Sequence, residues 1–195
     1  TIAFEDGPAH PATLANVRAA GFSGVDVAPT MLWPAWQGID VASARAFGAR
    51  YQDAGLEVVG AQSLLYGLTA PAVFGPPERR AALLEHLRRI AEPLAALGVS
   101  VLVFGSPGAR DPGALDADAA FARARDLFAQ IGDALAPLGL RLCVEPNPPD
   151  TGNRFVTTSA QGRRLAEAVA SAGFGLHLDT GAMVAVGEDP AQAFT

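Results

Sequence analysis

The chain has 195 residues, long enough for one domain with a substantial core, and half of them are hydrophobic while 17% are charged. That balance excludes a disordered chain. A net charge of −6, with acidic residues scattered along the sequence, excludes a nucleic-acid surface built on clustered Lys and Arg.

No apolar run approaches the ~18 residues of a membrane span, so no membrane partner is expected, and no signal peptide opens the sequence. The single cysteine, Cys143, lies inside an apolar run and reads as a small buried hydrophobe. With no second cysteine there is no intrachain disulfide, which suits a reducing cytoplasm.

One pattern recurs along the chain. An opening apolar run at residues 2–4 reads as a strand. Thereafter a helix-like stretch ends in Ala-Gly or Leu-Gly, and a short Val- and Leu-rich run follows within a few residues. Gly21 precedes residues 25–27, Gly55 precedes 57–59, Gly98 precedes 99–103, Gly139 precedes 140–144, and Gly173 precedes 175–178. Glycine just past a helix end supplies a left-handed cap, and short apolar runs read as strands buried on both faces.

The intervening helices carry start signals. Asp40 precedes residues 41–54, Pro76 and Pro77 precede 78–97, Asp116 precedes 117–138, and Thr157 and Thr158 precede 159–172. Pro93 and Pro137 should kink or end their helices.

Six βα units in series predict an α/β fold with a parallel sheet and right-handed crossovers. The strand-to-helix loops are the long ones, at 28–39, 64–77, 105–115, 146–157 and 180–189. Such loops at the C-terminal ends of parallel strands are where α/β folds carry their sites. A doubly wound open sheet is the competing architecture. It would usually show a Gly-rich phosphate loop after the first strand, and the sequence from Phe4 to Pro8 is not one.

Two carboxylates close predicted neighbouring strands, Glu145 after residues 140–144 and Asp179 after 176–178. Converging there, they would suit a hard divalent cation or proton transfer next to a carbonyl, and they would equally suit loop capping.

The runs Glu145-Pro146-Asn147-Pro148-Pro149, Phe155-Val156-Thr157-Thr158 and Gly175-Leu176-His177-Leu178-Asp179-Thr180-Gly181 resemble the core of the sugar phosphate isomerase/epimerase family. This is the family of xylose-isomerase-like (β/α)8 TIM barrels. Gly21-Phe22-Ser23-Gly24-Val25-Asp26 is similar to its second-strand entry, where the last position is more often Glu. Residues 97–103 resemble its fourth strand.

The resemblance implies a barrel with about six of eight units present, a small-molecule sugar or sugar phosphate as substrate, and proton transfer through an enediolate. It implies a divalent metal (Mn, Mg, Co or Zn) with Glu145 and Asp179 as ligands, and Glu145 as the residue that exchanges the substrate proton. The family's remaining ligands belong to the seventh and eighth strands. The chain begins at Thr1 without Met and ends at Thr195, so the natural protein is expected to be longer, or its open barrel to be filled by another copy in a homo-oligomer.

Ala182 stands where many relatives have a histidine after the sixth-strand aspartate, and Ser106 where some have one after the fourth strand. Both weigh against a trinuclear zinc site of the endonuclease kind, as does a total of three histidines.

Other residues have two readings each. His177, two before Asp179, would share its face in a strand and would touch substrate, orient Asp179, or be a hydrogen-bonded core residue. Gln62 and Asn147 suit a sugar hydroxyl or a loop backbone. Arg110 and Arg154 suit a phosphate or carboxylate, or solvent. Trp33, Trp36 and Tyr66 suit stacking on a sugar or packing of their loops. His10 and His86, among polar neighbours, read as surface. A dehydratase starting with the same proton abstraction, and a degenerate sugar-binding barrel, are the competing functions.

Overall fold

Five short strands, each followed by a loop and one or more helices, set the plan of the molecule. The computed structural model describes residue 7 and residues 9–193. The expected strand at residues 2–4 lies outside the described residues.

In chain order the elements are α1 (Pro11–Ala19), β1 (Gly24–Val27), α2 (Pro29–Leu32), α3 (Val41–Asp53), β2 (Glu57–Ala61), α4 (Pro77–Leu97), β3 (Val101–Phe104), α5 (Ala117–Leu135), β4 (Arg141–Val144), α6 (Ser159–Val169), β5 (Phe174–Leu176), α7 (Thr180–Ala185) and α8 (Pro190–Ala193). The strands form one parallel sheet in the order β1-β2-β3-β4-β5. Sequential neighbours throughout are the signature of repeated right-handed βα crossovers rather than of a chain that doubles back across its first strand.

One face of the sheet is packed. Val27, Val58, Leu102, Phe104, Leu142, Val144 and Phe174 are buried there in the same hydrophobic cluster as Leu83, Leu87, Ile90 and Leu94 of α4 and Leu127, Phe128, Ile131 and Leu135 of α5. Phe128 sits between Phe104, edge-on at 5.7 Å, and Phe174, stacked at 4.8 Å. Burying each such side chain contributes about 1.5–3 kcal/mol.

The other face carries Asp26, Val59 and Arg141 in exposed positions. A doubly wound sheet has helices on both faces. Here the cover is on one face, as in the wall of a barrel.

Several helix ends match their signals. Asp40 and Ser43 form a reciprocal capping box at α3, and Asp116 accepts from Ala119 N at 2.8 Å at α5. Gly98, at φ 106, is the left-handed residue that closes α4.

Helix α4 runs through Pro93 to Leu97, the end expected for it. One expectation is corrected. Helix α6 stops at Val169 and not at residue 172, because Ala170 takes the left-handed conformation at φ 51. Gly173 is therefore not a helix cap. It is glycine because a Cβ there would stand 2.0 Å from the carbonyl oxygen of Gly132 on α5. Strand β5 also ends at Leu176, one residue before His177 and three before Asp179.

Candidate active site

Glu145 leaves β4 at its C-terminal end, with its backbone N–H still bonded to Phe104 O at 3.1 Å. Its carboxylate turns inward over the neighbouring strand. Gly105 leaves the room, since a Cβ there would lie 2.6 Å from Glu145 Oε2. Asn147 Nδ2 donates to the same Oε2 at 2.8 Å. The other oxygen, Oε1, faces His177 Nε2 at 3.7 Å. His177 is placed by the ladder, its N–H bonded to Val144 O at 2.9 Å. The Glu145 and His177 side chains are 19% and 34% exposed, so the pair is lined by protein and still reachable.

Behind Glu145 lies Arg110, which has no exposed surface. It donates to Phe155 O at 3.2 Å, to Glu145 O at 2.9 Å and to Asn147 Oδ1. Burial lowers its pKa to about 10, against an opposing pull from the Glu145 carboxylate, so it is charged at neutral pH. Asn153, also buried, donates through its amide to Asn147 O and Val156 O, both at 2.8 Å. Sequence reasoning missed Asn153 and Gly105. A glycine directly after strand residues 101–104 was a readable hint for the second, and nothing in the sequence marked the first.

Asp179 is exposed and caps α7, its Oδ1 accepting from Ala182 N at 2.8 Å. Among the described residues no three His, Cys, Asp or Glu side chains come together as a metal-holding group. Glu145 and Asp179 are oxygen donors of the right kind for a hard cation, but by number the described residues do not complete its shell.

Trp33 is buried, donates to Ser43 Oγ at 2.9 Å and meets Phe47 edge-on, so it packs loop against helix. Gln62 is half-buried just past β2, its N–H bonded to Val27 O at 2.9 Å. Arg154 pairs with Asp111 at the surface at 3.0 Å. Trp36, Tyr66, Met31 and Leu68 line a cavity of about 450 Å³ between the loops after β1 and β2, with Trp36 Nε1 tied to Tyr66 O at 3.0 Å.

His86 is a correction. It is buried, not on the surface, with Nε2 at 2.9 Å from Leu64 O, and burial lowers its pKa. Cys143 is buried as expected, and burial raises its pKa, which keeps the thiol protonated.

Backbone strain marks this end of the sheet. Ala35, Trp36, Ser63, Ser106 and Val156 have positive φ without being glycine, and all lie in loops that follow strands. Strain of this kind, of order 1–3 kcal/mol each, gathers at functional loops held by their surroundings.

The sequence profile of the xylose isomerase-like TIM barrel family matches residues 14–195, and the chain belongs to that family. Among solved structures it is similar to D-psicose 3-epimerase from Clostridium cellulolyticum H10, with TM-score 0.75 and 15% identity over 94% of this chain and 62% of that one. It is similar to 3-keto-D-glucoside 4-epimerase from E. coli, with TM-score 0.73 and 21% identity over 94% and 68% of the two chains. It is also similar to an AP endonuclease of family 2 from Brucella melitensis, with TM-score 0.74 and 19% identity over 97% and 69%. The chain thus spans about 62% of the length of the psicose epimerases it matches. No curated protein matches the chain by sequence.

Proposed function

We propose that this chain is the larger part of a sugar isomerase or epimerase barrel that moves a proton next to a carbonyl. The observation that carries the reading is the Glu145 carboxylate, held by Asn147 on one oxygen and open toward His177 on the other. A general base needs a fixed, partly desolvated carboxylate within reach of substrate, and this is the described residue that best fits.

In this reading Glu145 Oε1 takes the proton from the carbon beside a ketose carbonyl and returns it to the adjoining carbon in an isomerisation, whereas in an epimerisation a second acid on the far side of the substrate returns a proton to the opposite face of the same carbon. The intermediate is an enediolate. His177 lies where it would bond a substrate oxygen, and the half-buried Gln62 would bond a hydroxyl, while the Asn147 amide is taken up by Arg110 and Glu145. The aromatic-lined cavity beside Trp36 and Tyr66 suits the apolar face of a sugar ring or chain.

The reading includes a divalent cation (Mn, Mg, Co or Zn), with Glu145 and Asp179 as two of its donors. When bound it would polarise the carbonyl and carry enediolate charge. The described residues alone do not assemble its shell, so proton transfer is assigned here to side chains only.

The test is product analysis by NMR, incubating ketoses and keto-sugars with the natural full-length protein, with each of the four metals and with chelator. An epimer or an aldose–ketose isomer is the expected product. A dehydrated product would move the assignment to a dehydratase, and sugar binding without turnover would make the barrel a binding protein.

A further inference from the structure

Among the described residues, Arg110 heads the fully buried side chains by size. A buried guanidinium is strongly unfavourable unless its donors and charge find partners. Its Nε has none among the described residues. Its other nitrogens reach Phe155 O at 3.2 Å, Glu145 O at 2.9 Å and Asn147 Oδ1. A surface residue with an aliphatic stem would satisfy a loop at lower cost, so the buried charge calls for a reason beyond packing.

The Asn147 carboxamide supplies one. Arginine only donates hydrogen bonds and an ionised carboxylate only accepts them. Asn147 stands between the two, so its orientation is dictated: Oδ1 to Arg110 and Nδ2 to Glu145 Oε2, the latter at 2.8 Å. Charge at Arg110 polarises the amide and strengthens the bond it donates. Glu145 Oε2 is meanwhile lodged in the notch that Gly105 leaves, 2.6 Å from the site of a missing Cβ. Oε1 is left facing His177 at 3.7 Å.

We propose that Arg110 is a positioning residue that acts through Asn147 to fix which oxygen of Glu145 meets the substrate, holding Oε2 and presenting Oε1. The inference rests on Glu145 as the proton-transferring group. It gives Arg110 a role inside the wall of the site rather than on a substrate phosphate or carboxylate. Lysine cannot replace it, because a single ammonium does not span Phe155 O on one arm and Glu145 O with Asn147 Oδ1 on the other as the planar fork does.

The experiment pairs kinetics with crystallography on Asn147→Ala, Asn147→Asp and Arg110→Lys in the natural full-length protein. Asn147→Asp keeps the acceptor for Arg110 and removes the donor to Glu145. The expected result is a kcat lower by about tenfold to a hundredfold in each variant, with KM changed by less than about threefold, because the loss is orientation and not binding. In crystals of the Asn147 variants the Glu145 carboxylate should leave the Gly105 notch or adopt two orientations.

If Arg110→Lys fails to fold, the half-buried Asn147 carries the test. A Glu145 side chain unmoved in Asn147→Ala, or a KM effect with kcat intact, overturns the proposal. If the wild-type protein turns over no sugar, the assignment as an isomerase fails by itself, and the Glu145 orientation in the variant crystals still decides the brace.

Discussion

Glu145 and Gly105 face each other across β4 and β3, and the second exists to make room for the first. An alanine at position 105 would place a methyl 2.6 Å from Glu145 Oε2, well inside contact distance, so the carboxylate must swing away. The obstacle is a side-chain tip and not backbone, so the fold should hold. Gly105→Ala is expected to keep its unfolding free energy within about 1 kcal/mol of wild type while losing most turnover, read by urea titration and by sugar assay on one preparation.

His86 gives a residue-scale prediction of the opposite kind, on stability alone. In the unfolded chain it takes up a proton near pH 6.5, and in the folded chain burial postpones this to lower pH, with Arg89 adding to the effect. Over that interval the unfolded state binds more protons, so stability falls as pH drops below about 6.5 and is unaffected above it. His86→Gln keeps a donor for Leu64 O and should flatten that slope, as urea midpoints at about pH 7.5 and about pH 5 will show.

Glu145 was legible because a carboxylate closing an apolar strand run has few places to go. His86 was not. The buried stripe of α4 runs through Leu83, Leu87, Ile90 and Leu94, and position 86 lies at its edge among charged neighbours. Its spacing, three after Leu83 and four before Ile90, puts it on the buried side of the helix, where its ring meets Leu64 O.

At the scale of elements, the α6–β5 junction separates what a glycine can mean. An Ala-Gly or Leu-Gly ending reads as a left-handed cap, and that reading holds for Gly98. At the end of α6 the left-handed residue is the exposed Ala170, and Gly173 answers to the backbone of α5 instead. A tertiary contact between two glycines on separate elements leaves no local pattern to read. Ala170→Gly should therefore stabilise the protein by about 0.5–1 kcal/mol, against the usual direction for glycine, because the left-handed conformation costs an L-residue roughly that surplus. A thermal melt of the single variant checks the sign.

The strands themselves were found within one or two residues, since Val- and Leu-rich runs spaced by helices leave few alternatives. Which of the two strand-end carboxylates would cap a helix was not, because β5 ends at Leu176 and the phase of the pleat is lost before Asp179.

Across the whole molecule, a parallel sheet covered by helices on one face directs its functional groups to one end. The strained loops, the aromatic cavity and the Glu145–Asn147–Arg110 chain all lie at the C-terminal ends of the strands. Family membership follows from the match over residues 14–195, and the α/β barrel plan was readable from six repeated units.

The central claim is that Glu145 moves a proton to and from carbon. Deuterium incorporation from D2O at the carbon beside the carbonyl of a ketose, followed by NMR, tests it directly. The account predicts incorporation by the wild-type full-length protein and a loss of about a thousandfold or more in Glu145→Gln with the fold intact. Undiminished incorporation by Glu145→Gln would contradict it.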